Sequence, residues 1–222
     1  MTKKLTIAID GPAASGKSTT ARLLAEKLGY IYIDTGAMYR AATLAVLKSG
    51  IDPADKNAIV DVVKKSKIDL KIVNGIQHTF LNNEDVSDKI RTPQIDKTIN
   101  YISTNKDVRK IMVDYQRKTA QQGGVVMDGR DIGTVVLPDA DIKVFMKASI
   151  EARARRRMKD QVMHDISFNE IKEEITRRDH SDMTRKESPL IKAADAKELD
   201  NSELTVDQQV ATILNWIKNT QI

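Results

Sequence analysis

The chain contains no cysteine, which excludes disulfides, thiolate nucleophiles and Cys-ligated metal sites. Its three histidines, His78, His164 and His180, are scattered without ligand spacing, so a zinc site is not expected. No apolar run approaches the length of a membrane span. Lys3-Lys4 followed by LTIAI has the look of a secretory leader, but Asp10 ends the run too early for one, and a cytoplasmic location is expected. Aromatic residues make up only 4%, and no basic stretch is interleaved with them. A base-stacking platform for nucleic acid is therefore missing despite a net charge of +5. What remains is an ordinary globular composition, 41% hydrophobic and 30% charged, in 222 residues. That length suffices for one α/β domain with a sizeable core, or for a core with small inserts.

The most informative stretch is residues 5–18, LTIAIDGPAASGKS. Leu5 to Ile9 is a short apolar run. Gly11-Pro12-Ala13-Ala14-Ser15-Gly16-Lys17-Ser18 fits G-x-x-x-x-G-K-[ST] in full. Ala21, Leu24, Ala25 and Leu28 follow at helical spacing, closed by Gly29. The motif therefore lies between a strand and a helix, where it reads as a P-loop. Glycines let the backbone wrap a phosphate, and successive N–H groups with the helix N-terminus then face the anion. Residues 11–18 and Thr19 are thus the expected ATP cradle, with Lys17 on the β- and γ-phosphates and the Ser18 hydroxyl on Mg²⁺. A chance match of the four fixed positions arises on the order of once in a hundred chains of this length, and the flanking pattern makes chance rarer still. Surplus arginine suits a protein that holds two phosphorylated nucleotides.

Further along, YIYID reads as a second strand, and Asp34 or Thr35 as the N-cap of the helix GAMYRAATLAVLKSG. A helix is expected over 54–65. IDLKIV and IQHTFL flank Asn74-Gly75, a strong hairpin signal, so 67–90 reads as a small antiparallel insert. Helices are expected over 92–103 and 106–122, a third core strand at VVM leading into Asp128-Gly129-Arg130-Asp131, and a fourth at 141–146. A basic helix over 149–160 follows, then a helix over 167–180 entered through the capping-box pair Ser167 and Glu170. A short strand at 197–199 and a helix over 205–218 complete the chain. Strands alternating with helices predict an α/β fold, a parallel sheet with helices on both faces.

Three constellations bear on chemistry. Arg40 lies one turn into the helix after the second strand and could fork onto a phosphate; from spacing alone, a capped helix start with a solvated arginine accounts for it equally well. Asp128 lies just past a core strand beside the P-loop, where a carboxylate orients Mg²⁺. Asp131, three residues on, is of the type that accepts from the exocyclic amine of cytosine, where uracil offers an acceptor instead. Arg153, Arg156 and Arg157 share one helical face, and positive charge is the main resource that phosphoryl transfer asks of a protein. Arg178, Asp182 and Arg185 by themselves say only that a surface is charged.

Other classes fit less well. A regulatory GTPase would need N-K-x-D, which Asn105-Lys106-Asp107-Val108 fails, and a D-x-x-G switch, which is missing. A shikimate-type kinase has no use for the hairpin insert. A nucleic-acid-dependent ATPase is favoured only by the basic charge.

Taken together, IDGPAASGKST, IDTGAMYRA, NEDVSDKIRT, MDGRDIGTVVLPDAD, EARARRR and RRDHSDMTRKESPL resemble the bacterial cytidylate (CMP) kinases over nearly the whole chain. Adenylate and guanylate kinases share the P-loop but differ in the acceptor half. The resemblance implies the three-layer nucleoside monophosphate kinase fold as one domain over 1–222. Its core would comprise 1–36, 105–150 and 168–222, its acceptor-binding insert 37–104 and its lid 151–167. It implies ATP and Mg²⁺ as cofactors, CMP and dCMP as substrates, no nucleic-acid or membrane partner, and a monomer. By matching position it implies an acceptor site of Thr35, Arg40, Arg109, Arg130, Asp131, Arg178, Asp182 and Arg185. Arg40, Arg130 and Arg185 would take the phosphate, Arg109 and Asp131 the base, and Arg178 and Asp182 the sugar. Asn100 stands where relatives carry a serine near the base. Lys17, Arg130, Arg153 and Arg157 are the expected catalytic residues, and Ser18 and Asp128 the metal ligands.

Overall fold

The computed structural model describes residues 4–73, 76–159 and 166–220. The Asn74-Gly75 turn and part of the expected lid, 160–165, lie outside the described residues. The described chain divides into two compact units, 1–33 with 120–222, and 34–119. Among the described residues no helix is long and apolar enough to cross a membrane.

The first unit is built on a five-stranded sheet in the order β2-β6-β1-β7-β8, comprising β1 (Thr6–Asp10), β2 (Ile31–Asp34), β6 (Val125–Gly129), β7 (Ile142–Lys147) and β8 (Lys197–Asp200). β1 pairs in parallel with β6 and β7, and β7 with β8. Ile7, Ala8 and Ile9 of the central strand have no exposed surface, as a parallel strand covered on both faces requires. One cluster joins Ile7 and Ile9 to Leu24 of α1 (Lys17–Leu28), to Met146, and to Val210, Ile213 and Ile217 of α8 (Val206–Thr220). Each such fully buried aliphatic side chain is worth about 2 kcal/mol, so burial on both faces holds the sheet together.

The register sets the chemistry. Ile9 lies beside Asp128, and Asp10 beside both Gly129 and Phe145. The carboxyl end of β1, which runs into the P-loop, is thus level with the carboxyl end of β6. The chain moves from β1 to one side of the sheet and later returns to the other, so β1 marks the topological switch point where such sheets bind ligands.

Two local features differ from the expectation. Residues Ile132–Val136 form a single π-helical turn, with Val136 and Leu137 donating to the carbonyls of Asp131 and Ile132. The helix after Ser167, α7 (Phe168–Thr184), runs four residues past the expected end at 180. Nothing in HSDMT breaks a helix, and the chain turns only at Arg185, before Pro189. Arg178 and Asp182 therefore sit one turn apart on a helix. The capping box of Ser167 and Glu170 forms as expected. The basic helix α6 spans Ile150–Met158.

The second unit has its own apolar interior, which includes Ile59, Ile90, Ile95 and Ile102. Asp34 caps α2 (Thr35–Ser49), its carboxylate accepting from the Ala37 N–H at 2.8 Å. Asp55, rather than a residue nearer Pro53, caps α3 (Lys56–Lys65). β3 (Ile68–Val73) and β4 (Ile76–Leu81) pair antiparallel with Val73 opposite Ile76, and β5 (Glu84–Asp85) adds a third short strand. α4 (Pro93–Ser103), capped by Thr92, and α5 (Lys106–Ala120) follow.

Candidate active site

The P-loop is set by close approach and by side chains that grip its carbonyls. A Cβ on Gly11 would lie 2.2 Å from the Met146 carbonyl oxygen of β7, so only glycine fits there. Gly16 caps α1 with φ +87°, in the left-handed region. The Lys17 ammonium donates to the Pro12 carbonyl at 2.6 Å and lies 3.3 Å from Ser15 Oγ. The Ser15 carbonyl accepts from Asn201 Nδ2 at 2.7 Å and from Arg156 at 3.2 Å. Thr20 and Asn201 both donate to Gln209 Oε1, at 2.6 and 3.0 Å. At Ala13 the N–H donates to Asp179 at 2.9 Å and the carbonyl accepts from Arg153 at 3.2 Å. Arg153 also pairs with Asp179 and donates to the Ala148 carbonyl. Arg157 is partly exposed, and Arg155 is exposed.

Lys17 is buried, and burial together with Arg130 and Arg178 pushes its ammonium down from 10.5 to about 7, against the opposing pull of Asp128 and Asp10. The folded protein holds this proton less tightly than an unfolded chain does. The resulting penalty to stability is therefore absent above pH 10.5 and grows as pH falls to about 7. A phosphate beside the ammonium would reverse the shift.

Ser18 Oγ donates to Asp128 Oδ2 at 2.9 Å, and the Tyr32 hydroxyl donates to Asp128 Oδ1 at 2.8 Å. One carboxylate beside one hydroxyl fits Mg²⁺, which takes one or two protein oxygens and completes its shell with water and substrate phosphate. Among the described residues no group of three or more His, Cys, Asp or Glu is placed to hold a metal, so the fit is to a shared protein–substrate site and not to an all-protein cage. Asp10, at the end of β1, accepts from the N–H groups of Ile132 and Gly133 at 2.8 and 2.7 Å. Burial, with help from Asp131, raises its carboxyl from 3.8 to about 6 despite those bonds.

The structure brings five of the expected acceptor residues together in the first unit, Arg130, Asp131, Arg178, Asp182 and Arg185. Arg130 donates to Asp182 at 2.7 Å, and Arg185 lies 3.7 Å from both Asp131 and Asp182. Burial opposes both charges, yet Asp182 holds the Arg130 guanidinium above its ordinary value. In the same way Arg130, followed by Arg178 and Arg185, holds the Asp182 carboxyl below its ordinary value. Arg178 is close enough to act on both Lys17 and Asp182. The remaining four lie in the second unit. Thr35 is buried at the first turn of α2, and Arg109 is buried with its guanidinium 5.6 Å from the centre of the Tyr39 ring. Arg40 is also buried, paired with Asp96 and donating to the Ile90 carbonyl, which removes the solvated-arginine alternative. Asn100 is exposed on α4.

Several residues were not identified from the sequence. Asp10 had a signal, an acid closing the strand that feeds the loop. Asp179 stood within RRDHSDM. Tyr32, Asn201 and Gln209 act across long separations and gave none.

The cytidylate kinase family model matches residues 7–219. A cytidylate kinase of Oceanobacillus iheyensis is 46% identical over 225 residues, covering 100% of this chain and 98% of the relative. One from Bacillus cereus is 48% identical over 219 residues, covering 98% and 97%. Among solved structures, shikimate kinase from Bacteroides thetaiotaomicron matches at a TM-score of 0.50 and 11% identity, covering 96% of this chain and 98% of that one. That likeness concerns the fold alone. With a P-loop at the switch point and family-level identity along its whole length, the chain belongs to the cytidylate kinase family.

Proposed function

We propose that this protein transfers the γ-phosphoryl group of ATP to CMP or dCMP, giving ADP and CDP or dCDP. The observation that carries the reading is the joined set at the carboxyl ends of β1 and β6: a P-loop, Ser18 on Asp128, and Asp131 beside the Arg130–Asp182–Arg185 network. Family membership over residues 7–219 supports the substrate class.

In this mechanism an oxygen of the acceptor 5′-phosphate attacks the γ-phosphorus in line. The bond to the β–γ bridging oxygen breaks, and ADP leaves with that oxygen. The acceptor is an anion at neutral pH, so no general base is required. Residues 11–19 hold the donor, and Lys17 stabilises charge on its β- and γ-phosphates. Ser18 and Asp128 would hold Mg²⁺, which supplies neutralisation of the β- and γ-oxygens. Arg130 and Arg157 are the positive charge proposed for the transferring group. Thr35, Arg40, Asn100, Arg109, Asp131, Arg178, Asp182 and Arg185 are the proposed acceptor residues. The antiparallel insert within 37–104 is the proposed acceptor-binding part, and 151–167 the lid.

Replacing Lys17 with Met is expected to cut kcat at least a hundredfold, with the thermal melt retained; near-normal turnover would remove the central role of the loop. Because the free lysine titrates near 7, nucleotide binding should draw in a proton. Uptake should grow from pH 6 to about 8 as the free ammonium is lost, and calorimetry in buffers of different ionisation enthalpy measures it. Pure nucleotide binding without uptake would contradict the placing of phosphate on Lys17. Asp131→Ala should lower the ratio of kcat/KM for CMP over UMP about tenfold; an unchanged ratio would refute Asp131 as the base reader.

A further inference from the structure

Arg153, Arg156 and Arg157 of the basic helix do not share one role. Arg153 is buried, and its guanidinium is shared among the Ala13 carbonyl, the Ala148 carbonyl and Asp179. Asp179 closes the ring from α7, its other oxygen accepting the Ala13 N–H at 2.9 Å. Both polar groups of a single P-loop residue are thus held by one ion pair that spans α6 and α7. The apolar contacts converge on the same residue. Ala13 packs with Ala154, Ile171 and Ile175, and Ala14, Ile150 and Phe168 border that cluster. One helical turn along, Arg156 repeats the arrangement, donating to the Ser15 carbonyl, to Asn201 Oδ1 and to the Asn201 carbonyl.

This geometry has a physical consequence. A phosphate cradle depends on backbone N–H groups facing inward, and the carbonyls between them must then face elsewhere and find donors there. Charged donors satisfy those carbonyls more firmly than water would, and so favour the cradle conformation of the loop. Preorganisation of this kind lowers the cost of binding the phosphates.

We propose that Arg153 and Asp179 are positioning residues of the P-loop: as a pair they hold Ala13 and so fix the cradle for the β-phosphate. Arg153 acts through the loop backbone and not on the transferring phosphoryl group. The proposal rests on the reading that the loop binds ATP.

ADP distinguishes the two roles, because it fills the cradle but lacks the γ-phosphate. The full-length protein and the variants Arg153→Lys, Asp179→Asn and the double variant would be titrated with Mg·ADP by calorimetry. Steady-state KM for ATP and CMP, and thermal melts, would be measured alongside. Each single variant should weaken ADP about tenfold, the cost of losing a charge-assisted bond, and raise the KM for ATP to match. The KM for CMP should stay within about twofold, since the ADP-bearing loop is what moves. The double variant should lose little more than either single one, because the two side chains act as one unit. Lysine still offers a charged donor, so Arg153→Lys should bind ADP better than Arg153→Ala.

Unchanged ADP affinity in folded Asp179→Asn, with only Arg153→Lys losing kcat, would overturn the proposal and return Arg153 to the phosphoryl group. A variant with a lowered melting point but wild-type ADP affinity would also overturn it, since the pair would then serve stability alone. If Asp179→Asn does not fold, Arg153→Lys decides by the same ADP titration. Failure of the wild-type chain to bind ADP at all would instead sink the underlying reading of the loop.

Discussion

The burial of one lysine, Lys17, at the carboxyl ends of β1 and β6 is the constraint on which the rest of the site depends. Lys17 lies within reach of Arg130 and Arg178, and burial together with that company brings its ammonium down to about 7. Asp128 and Asp10 compensate only in part, because burial penalises the ammonium more than they favour it. Asp128 accepts from Ser18 and Tyr32, Asp10 from two backbone N–H groups, and Asp182 from Arg130. A polyanion entering such a place gains from charge that folding has already desolvated. This is why a site that costs the fold stability suits the proposed binding of phosphate.

The rest of the first unit keeps that charge in position. The parallel register sets the P-loop level with Asp128, and Gly11 lets the loop pass against the β7 backbone. The loop carbonyls are held from behind by Arg153, Arg156 and Asn201. Beyond β6, Asp10 grips the N–H groups immediately after Asp131, so the strand that feeds the P-loop also braces the turn that carries the proposed base reader. The proposed donor loop and the proposed base reader are therefore tied to one strand end. The fold alone would not assign the acceptor, since shikimate kinase shares it at 11% identity.

The features legible in the sequence were local ones. The P-loop, the strand–helix alternation, the hairpin strands and the capping box of Ser167 and Glu170 each depend on residues a few positions apart. The Arg130–Asp131 segment, directly after the end of β6 at Gly129, is legible for the same reason. Residues that act at a distance were not legible. Asp179 reaches Ala13 across 166 positions, Asp10 reaches Ile132 across 122, and Asn201 reaches Ser15 across 186. The shared face of Arg153, Arg156 and Arg157 is legible from spacing, but the partners of each arginine are not. Helical spacing puts side chains on one side, but packing against α7 and the P-loop decides which are buried and what they touch. The π-helical turn at Ile132–Val136 carries no comparable mark, because its β-branched residues suggest a strand as readily.

The most direct measurement is ADP formation from Mg·ATP with CMP, dCMP, UMP, AMP, GMP and shikimate offered singly to the wild-type protein. The account predicts fast turnover with CMP and dCMP, slow turnover with UMP and negligible turnover with the rest. Equal rates on CMP and UMP would contradict base reading at Asp131, and no acceptor-dependent turnover would contradict the assignment as a whole.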